Sequence, residues 1–575
     1  MLLWFILLVI RTLYEYVPHH YLFEMIFDGA ALYLIWPMFQ KVEIDRAIQA
    51  WRFLKVRKNT RKQVELISAI VLDILRLMAL FYLGSWYWRW TVVDWSSGIS
   101  TFQPRYLGFL DTFFLCFFLA QVATAHRWSW WISKLPLNPG RQILLHYLAA
   151  ILVGALLLLA PFSIQSGRAL SVIDALFLSV SALAVTGLTP VDISRVLTEW
   201  GQMVLLILIQ LGGLGIIIVT AALSLAAYRR LSLSSLLLGQ TSFGAPHPGQ
   251  IPKFLSQVVT LTLFLEALGA LFLYFSLPKE TPNRVFVALF HSISAFCNAG
   301  FSTFSQNLYQ STFGFGGLLV ICILILLGGI GFPVIFNIAS VLKKNRGVRE
   351  LFKQLSPQSR LALTVSFILV TGGTVLFFLF EEANLTSKLP WYQVLGQSLF
   401  YSISSRTAGF NLVPLDNFHL SAQFFLMLLM FVGASPTSTG GGVKTTTLGV
   451  LIATVYSTVF NKDQVVIFNR SVSFYVVKKA LAIVSIYLLL AGVAMTLLSI
   501  TEKAHSFELF FEIISALSTV GLSLGVTEQL TAFGKIVVMF LMMFGRIGIL
   551  TIVLAGIGRV QRSAIRYPED DFFVG

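Results

Sequence analysis

The chain has 575 residues, 57% of them hydrophobic and 12% charged, and a net charge of +15. Soluble domains carry about 25% charged residues, so this composition excludes an ordinary soluble fold and indicates a membrane protein. The basic excess falls between apolar runs, which reads as membrane topology and not as a nucleic-acid footprint.

A bilayer core of about 30 Å takes about 20 apolar residues per helical crossing. In chain order, residues 66–92 and 106–125 are predicted crossings, and residues 21–40 and 1–17 a third and a fourth. Segment 41–65 carries Lys41, Arg46, Arg52, Lys55, Arg57, Lys58, Arg61 and Lys62. It is expected on the cytoplasmic surface, in reach of membrane lipid headgroups. The cluster GSWYWRW at 84–90 suits an outer-interface aromatic belt, and Asp73 with Arg76 an internal ion pair. His19 and His20 read as an interfacial pair. No basic n-region or A-x-A site precedes or follows the first apolar stretch, so no cleaved signal peptide is expected.

Beyond residue 140 a unit is written four times, over 141–230, 231–350, 351–470 and 471–575. Spanning runs are predicted at 143–162, 201–227, 254–277, 315–342, 360–380, 422–458, 476–500 and 533–558. Between the members of each pair lies a shorter apolar segment: 172–186, 284–299, 393–408 and 507–520. These are too short to span and fit half-crossing helices. Each ends at a glycine: Gly187, Gly300, Gly409 and Gly521, at intervals of 113, 109 and 112 residues. Connections between units carry Arg229, Arg230, Lys343, Lys344, Lys462, Arg470, Lys478 and Lys479, and the tail Arg559, Arg562 and Arg566. The positive-inside rule puts these in the cytoplasm, so all four units share one orientation. The predicted fold is an all-α polytopic membrane protein, with four helix–half-helix–helix pseudo-repeats around one central pore and an N-terminal helical extension over 1–140.

A cation crossing a bilayer exchanges its hydration shell for other oxygens, and extended backbone carbonyls can supply them. Glycine accepts φ > 0 at little cost and so permits such a backbone. Residues before the four glycines are small or polar: Val185 and Thr186, Asn298 and Ala299, Thr407 and Ala408, Thr519 and Val520. Half-helix C-termini aimed at the axis favour a cation. Together with Gly187, Gly300, Gly409 and Gly521, these residues are the candidate ion-binding site.

The last run of the third unit is interrupted by GASPTSTGGGVKTTT at 433–447. Unpaired backbone cannot face lipid, so Gly433, Ala434, Ser435, Pro436, Thr437, Ser438, Thr439, Gly440, Gly441, Gly442 and Lys444 are expected buried or lining water below the filter, as a gate. Milder glycine clusters occur at comparable places: 210–215, 327–333 and 544–548. Arg546, inside the last run without a nearby acid, is expected to join the loop in a constriction. Arg406, three residues before Gly409, is expected to brace the turn by hydrogen bonds. Cys116, Cys297 and Cys322 fall in or beside apolar segments with no CxxC spacing and read as buried free thiols. No HExxH, Walker glycine loop or GxSxG is present, and no group of residues points to an enzyme.

The four glycine turns, the 433–447 stretch, FGRIGILT at 544–551 and YPEDDFFVG at 567–575 resemble the Trk/Ktr/HKT superfamily of potassium transporters, closest to its bacterial Ktr- and Trk-type pore-forming subunits. The resemblance covers residues 141–575. It implies K⁺ as the transported ion, with Na⁺ as an alternative, and no covalent cofactor. It makes the four glycines the filter, 433–447 the intramembrane gate and Arg546 the residue that partners it. Gly187, where some Na⁺-preferring plant members have serine, favours K⁺. It further implies a bacterial inner-membrane homodimer regulated by a separate cytoplasmic nucleotide- or NAD-binding subunit. The added 140 N-terminal residues depart from the usual Ktr pattern. A sodium-selective or mixed-cation transporter of the same fold is the second reading, and a membrane-embedded enzyme or a sensor with a vestigial pore are further ones.

Overall fold

The computed structural model describes residues 139–215, 251–305, 307–308, 313–343, 352–385 and 390–548. The chain divides into two compact units, Met1–Trp86 and Tyr87–Gly575, and every described residue belongs to the second. The expectations for the crossings before residue 139, His19–His20, Asp73–Arg76, Cys116, the linker at 216–250 and the tail beyond residue 548 lie outside the described residues.

The described residues are mostly helical. In the first block α1 (Pro139–Leu158), α2 (Val172–Ala184) and α3 (Glu199–Leu214) follow one another. The second has α4 (Ile251–Ser276), α5 (Arg284–Cys297), α6 (Gly314–Ile330) and α7 (Phe332–Leu342). In the third are α8 (Pro357–Leu385), α9 (Trp391–Ser404), α10 (Leu420–Phe431) and α11 (Thr445–Val459). The fourth has α12 (Phe474–Thr501), α13 (Ser506–Ser518) and α14 (Ala532–Ile547). A two-residue hairpin, Val466–Ile467 with Arg470–Ser471, joins the last two blocks. Its loop residues Phe468 and Asn469 both have positive φ, as a type I′ turn requires.

Among the described residues, α4, α8 and α12 alone are each long and apolar enough to cross a bilayer, and α6 with α7 makes a fourth if that bent pair is one span. Their outer surfaces are apolar: Phe275, Phe315 and Ile500 are 72%, 79% and 76% exposed. Large apolar side chains left outside a packed fold mark a surface that lipid or another protein covers. The short helices behave oppositely. At 1.5 Å per residue, the 13 residues of α2 reach about 20 Å, less than the bilayer core. They are inside the protein, with Phe177 (α2), Phe290 (α5) and Phe511 (α13) fully buried.

Within a block, the short helix packs on the helices that flank it: α2 on α1 and α3, α5 on α4 and α6, α9 on α8 and α10, α13 on α12 and α14. Between blocks the pattern also recurs. The helix after each short helix packs on the next block's short helix, α3 on α5, α6 on α9 and α10 on α13. Finally α14 packs on α2, closing the chain of contacts, and a salt bridge of 2.7 Å between Lys535 and Asp174 ties that seam.

The continuous helix expected over 315–342 is not observed. α6 and α7 meet at an angle of 96° at Gly331. Gly331 has φ +96°, which halts the helix, and Pro333 has no N–H to carry the α6 ladder on, while it suits the first turn of α7. Likewise α3 and α14, expected to run past these points, stop at Gly215 and Gly548, with φ of +83° and +92°. Each stop lies three residues after another glycine that faces a backbone carbonyl of its short helix: Gly212 on Leu183, Gly328 on Phe296, Gly545 on Leu517. A side chain on any of these three would run into that carbonyl. The glycine clusters thus bring the flanking helix against the end of the short helix and stop it there.

Candidate functional site

The end of each short helix sets up the site. The cap residue is left-handed: Val185 (φ 56°), Asn298 (φ 60°) and Thr519 (φ 53°) close α2, α5 and α13, and Thr407 (φ 75°) takes the same place after α9. The next N–H returns to the helix, as in a Schellman motif: Thr186 to Ser181 O at 2.8 Å, Ala299 to Ser294 O at 2.7 Å, Val520 to Ser515 O at 2.9 Å and Ala408 to Ser404 O at 2.9 Å. Glycine usually takes this cap position, and β-branched residues there cost of order 1–3 kcal/mol. Ending the helix is therefore not what the four motif glycines do.

Those glycines come two residues later, again at positive φ: 95°, 68°, 72° and 96° for Gly187, Gly300, Gly409 and Gly521. Each faces the strand of the next block. A Cβ on Gly300 would stand 2.6 Å from Ala408 O. On Gly187 it would meet Ala299 O, on Gly409 Val520 O, and on Gly521 Thr186 O. The order runs from block 1 to 2, 3, 4 and back to 1. Four glycines and the four carbonyls that precede them thus form a closed ring that only glycine permits.

Serines at the head of each motif hold the strands. Ser181 and Ser515 accept the N–H of Gly187 and Gly521, both at 3.1 Å. Ser294 and Ser404 donate to Phe301 O and Phe410 O at 2.8 and 2.6 Å. Neighbouring blocks are tied too. Asn298 satisfies its amide when its nitrogen donates to Ala295 O and Ile325 O and its oxygen accepts from the Thr407 hydroxyl at 3.2 Å. Asn307 donates to Gly300 O at 3.2 Å and accepts from Asn411 N.

The 433–447 stretch leads from α10 into α11 and is folded against this ring. Gly440 lies against Thr407 and Gly441 against Thr519, so close that neither tolerates a side chain. Gly433 and Gly442 lie against each other, and Gly433 N donates to Val443 O at 2.9 Å. Ser435 N and Thr439 N donate to Gly329 O and Gly328 O of α6 at 3.0 and 3.2 Å. The Thr439 hydroxyl donates to Phe296 O at 3.1 Å, and the Ser435 and Thr445 hydroxyls meet at 3.0 Å. Ser438 donates to Ser435 O at 2.6 Å. Pro436 O abuts Gly331 at the α6–α7 bend, and Thr437 O accepts from Phe332 N. Ala434, Ser435 and Thr439 are buried. Lys444 turns inward and donates to Gly440 O and Gly441 O at 2.7 and 3.2 Å.

Arg546, in the last turn of α14, joins the loop to α3. It donates to Thr439 O of the loop, to Gly212 O and, at 3.3 Å, to Gly213 O at the end of α3. All the sequence-predicted site residues from blocks 1 to 4 are brought to one place. One expectation is corrected: Arg406 does not brace the turn. It is buried just past the end of α9 and donates to Ser366 of α8 at 3.1 Å, a partner on a neighbouring helix and not in the turn. Cys297 and Cys322 are free and buried. The sequence reading missed the serine ties, although each serine opens its quoted motif. It also missed Glu266, a buried acid in α4 that accepts from Gln210 at 3.0 Å. Its signal was a lone acid in an apolar run.

Lipid-facing apolar helices around a buried polar ring make this a multi-pass membrane protein. A family model described as "Cation transport protein" (TrkH) matches residues 109–563, and the chain belongs to that family. It is 37% identical to the Ktr system potassium uptake protein B of Vibrio alginolyticus, over 76% of this chain and 94% of that protein. It is 31% identical to the potassium/sodium uptake protein NtpJ of Enterococcus hirae, over 76% of this chain and 98% of that protein. The crystal structure of the potassium transporter TrkH from Vibrio parahaemolyticus shares the fold, with a TM-score of 0.60, 22% identity and coverage of 83% of this chain and 96% of that one.

Proposed function

We propose that the chain carries K⁺ into the cell through a central pore between four pseudo-repeats, 141–230, 231–350, 351–470 and 471–575. The carrying observation is the closed glycine–carbonyl ring. Its strands, Val185–Gly187, Asn298–Gly300, Thr407–Gly409 and Thr519–Gly521, act as the selectivity filter. Carbonyls replace the water that a dehydrating cation gives up, and the C-termini of α2, α5, α9 and α13 add negative potential. Two ring hydroxyls, on Thr186 and Thr519, are buried with no hydrogen-bond partner, which leaves polar capacity at the site.

Gly433–Lys444 acts as the gate and Arg546 holds it closed. The loop supports this reading by its position under Thr407 and Thr519, and the arginine by its bond to Thr439 O. A second reading, uptake of Na⁺ or of both ions, is favoured by the likeness to a potassium/sodium uptake protein. The chain acts as a homodimer with a separate cytoplasmic nucleotide- or NAD-binding subunit; co-purification and light scattering test this. Growth rescue and flux in cells lacking K⁺ uptake, with K⁺, Rb⁺ and Na⁺ compared, test the transport reading. Flux of none of these ions by protein present in the membrane would refute it.

A further inference from the structure

In three blocks the short helix carries a second tie to the strand, beyond the serine. Three residues before Ser294, Ser404 and Ser515 stand His291, Tyr401 and Glu512. An i, i+3 spacing puts both members of each pair on one helix face. All three side chains are fully buried. All three reach the residue two past the glycine. His291 Nε2 lies 2.9 Å from the Ser302 hydroxyl, while its Nδ1–H donates to Val287 O at 2.8 Å. Tyr401 donates its hydroxyl to Asn411 Oδ1 at 2.8 Å and accepts from Leu412 N and Val413 N at 3.1 and 2.8 Å. Glu512 accepts from the Ser523 hydroxyl at 2.7 Å and also from Thr527.

An imidazole, a phenol and a carboxyl are chemically unlike. Burying each would cost free energy without a partner, and each finds that partner at the same step of the strand. What recurs is the contact and not the residue type. In block 1 the same place holds Leu178, which has no polar atom, and the residue two past Gly187 is Thr189.

We propose that His291, Tyr401 and Glu512 are positioning residues that hold the limb following the glycine in filter strands 2, 3 and 4. They thereby set ion preference, and strand 1, held at Gly187 by Ser181 alone, lacks this second tie. This rests on the filter reading. A carbonyl ring discriminates between ions only if its oxygens resist closing on a smaller one. Hydrogen bonds behind three of the four limbs supply that resistance, and the limb after Gly187, with Leu178 behind it, is the one that yields most easily.

The test uses the full chain in cells lacking K⁺ uptake, with membrane protein quantified. The readout is the ratio of half-saturating Na⁺ to half-saturating K⁺ for uptake. Tyr401→Phe removes one hydroxyl and keeps the ring; Ser523→Ala removes the strand partner of Glu512 without touching a helix. Ser523→Ala should lower the ratio about fivefold, the worth of one net hydrogen bond, and Tyr401→Phe, which loses three contacts, at least as much. Thr189→Ala, in the strand that lacks this second tie, should leave it unchanged. Gly300→Ser serves as the filter control. If Gly300→Ser leaves the ratio unmoved, the filter reading fails. If it moves the ratio while Tyr401→Phe and Ser523→Ala change only the amount of protein, the contacts are structural and the proposal is overturned. An equal effect of Thr189→Ala also overturns it.

Discussion

If the 433–447 loop is the gate, as proposed, replacing Arg546 by glutamine perturbs it without touching the ring. The guanidinium bridges Thr439 O in the loop and the Gly212 and Gly213 carbonyls of α3. A hydrogen bond from a charged donor contributes about 1.5–3 kcal/mol. Only the Thr439 bond restrains the loop directly, so we assign about 2 kcal/mol to the closed position. At about 1.4 kcal/mol per factor of ten, the open population rises roughly 10- to 100-fold. The shorter glutamine amide cannot span both carbonyl groups, so the loss is not compensated. The measurement is Rb⁺ or K⁺ uptake at fixed membrane protein, over a range of substrate concentrations. Maximal flux should rise steeply, until another step limits, with the half-saturating concentration little changed because the filter is intact. Flux equal to or below that of the unmodified protein, with normal thermal stability, would refute the reasoning. Arg546→Lys keeps the charge but loses the fork that reaches two sites, and should fall between the two.

Gly300→Ser or Gly409→Ser places an atom against Ala408 O or Val520 O and should reduce K⁺ over Na⁺ preference in flux competition, at unchanged membrane insertion. Deleting Thr437–Gly442 removes the loop segment docked on α6 and should raise flux, measured as Rb⁺ uptake; a well-folded deletion no faster than the parent shows that the loop is not the barrier. Lys535→Met should lower thermal stability more than Asp174→Asn and Lys535→Met together, because the single change strands a partly buried carboxylate at the seam between α14 and α2. A cysteine in place of Lys58 should react with a membrane-impermeant thiol reagent only from the cytoplasmic side, since eight basic residues in that segment resist translocation.

Much of the fold is written in hydropathy. The short helices fall within a few residues of their predicted places, because a half-length apolar segment ending in small and polar residues has few other uses in a membrane. The 433–447 break is also visible, since hydroxyls and a lysine cannot lie in lipid. The bend at Gly331 is not, because apolar residues flank it on both sides and hydropathy carries no record of direction. The destination of long side chains is equally hidden. Arg406 and Arg546 are both lone arginines in apolar runs, yet one binds Ser366 on a neighbouring helix and the other the loop. The left-handed caps at Val185, Thr407 and Thr519 run against residue preference, so no propensity argument finds them.

Arg546, Lys444 and the ring answer one electrostatic problem. The ends of four short helices converge on the ring, and each brings carbonyls without intrahelical partners. The helices that flank them add more, since α3, α6 and α14 stop at glycines three residues past their closest approach. Such a gathering of partial negative charge attracts a cation at the ring, but below the ring it would hold one and slow its passage. Arg546 directs its donors to the α3 and loop carbonyls, and Lys444 to those of Gly440 and Gly441. These donors therefore offset the surplus beside the ring. The same bonds fasten the loop that we propose as the gate. On this reading, closing the gate and clearing the inner side of bound cations are one act, and a change that frees Arg546 alters both together.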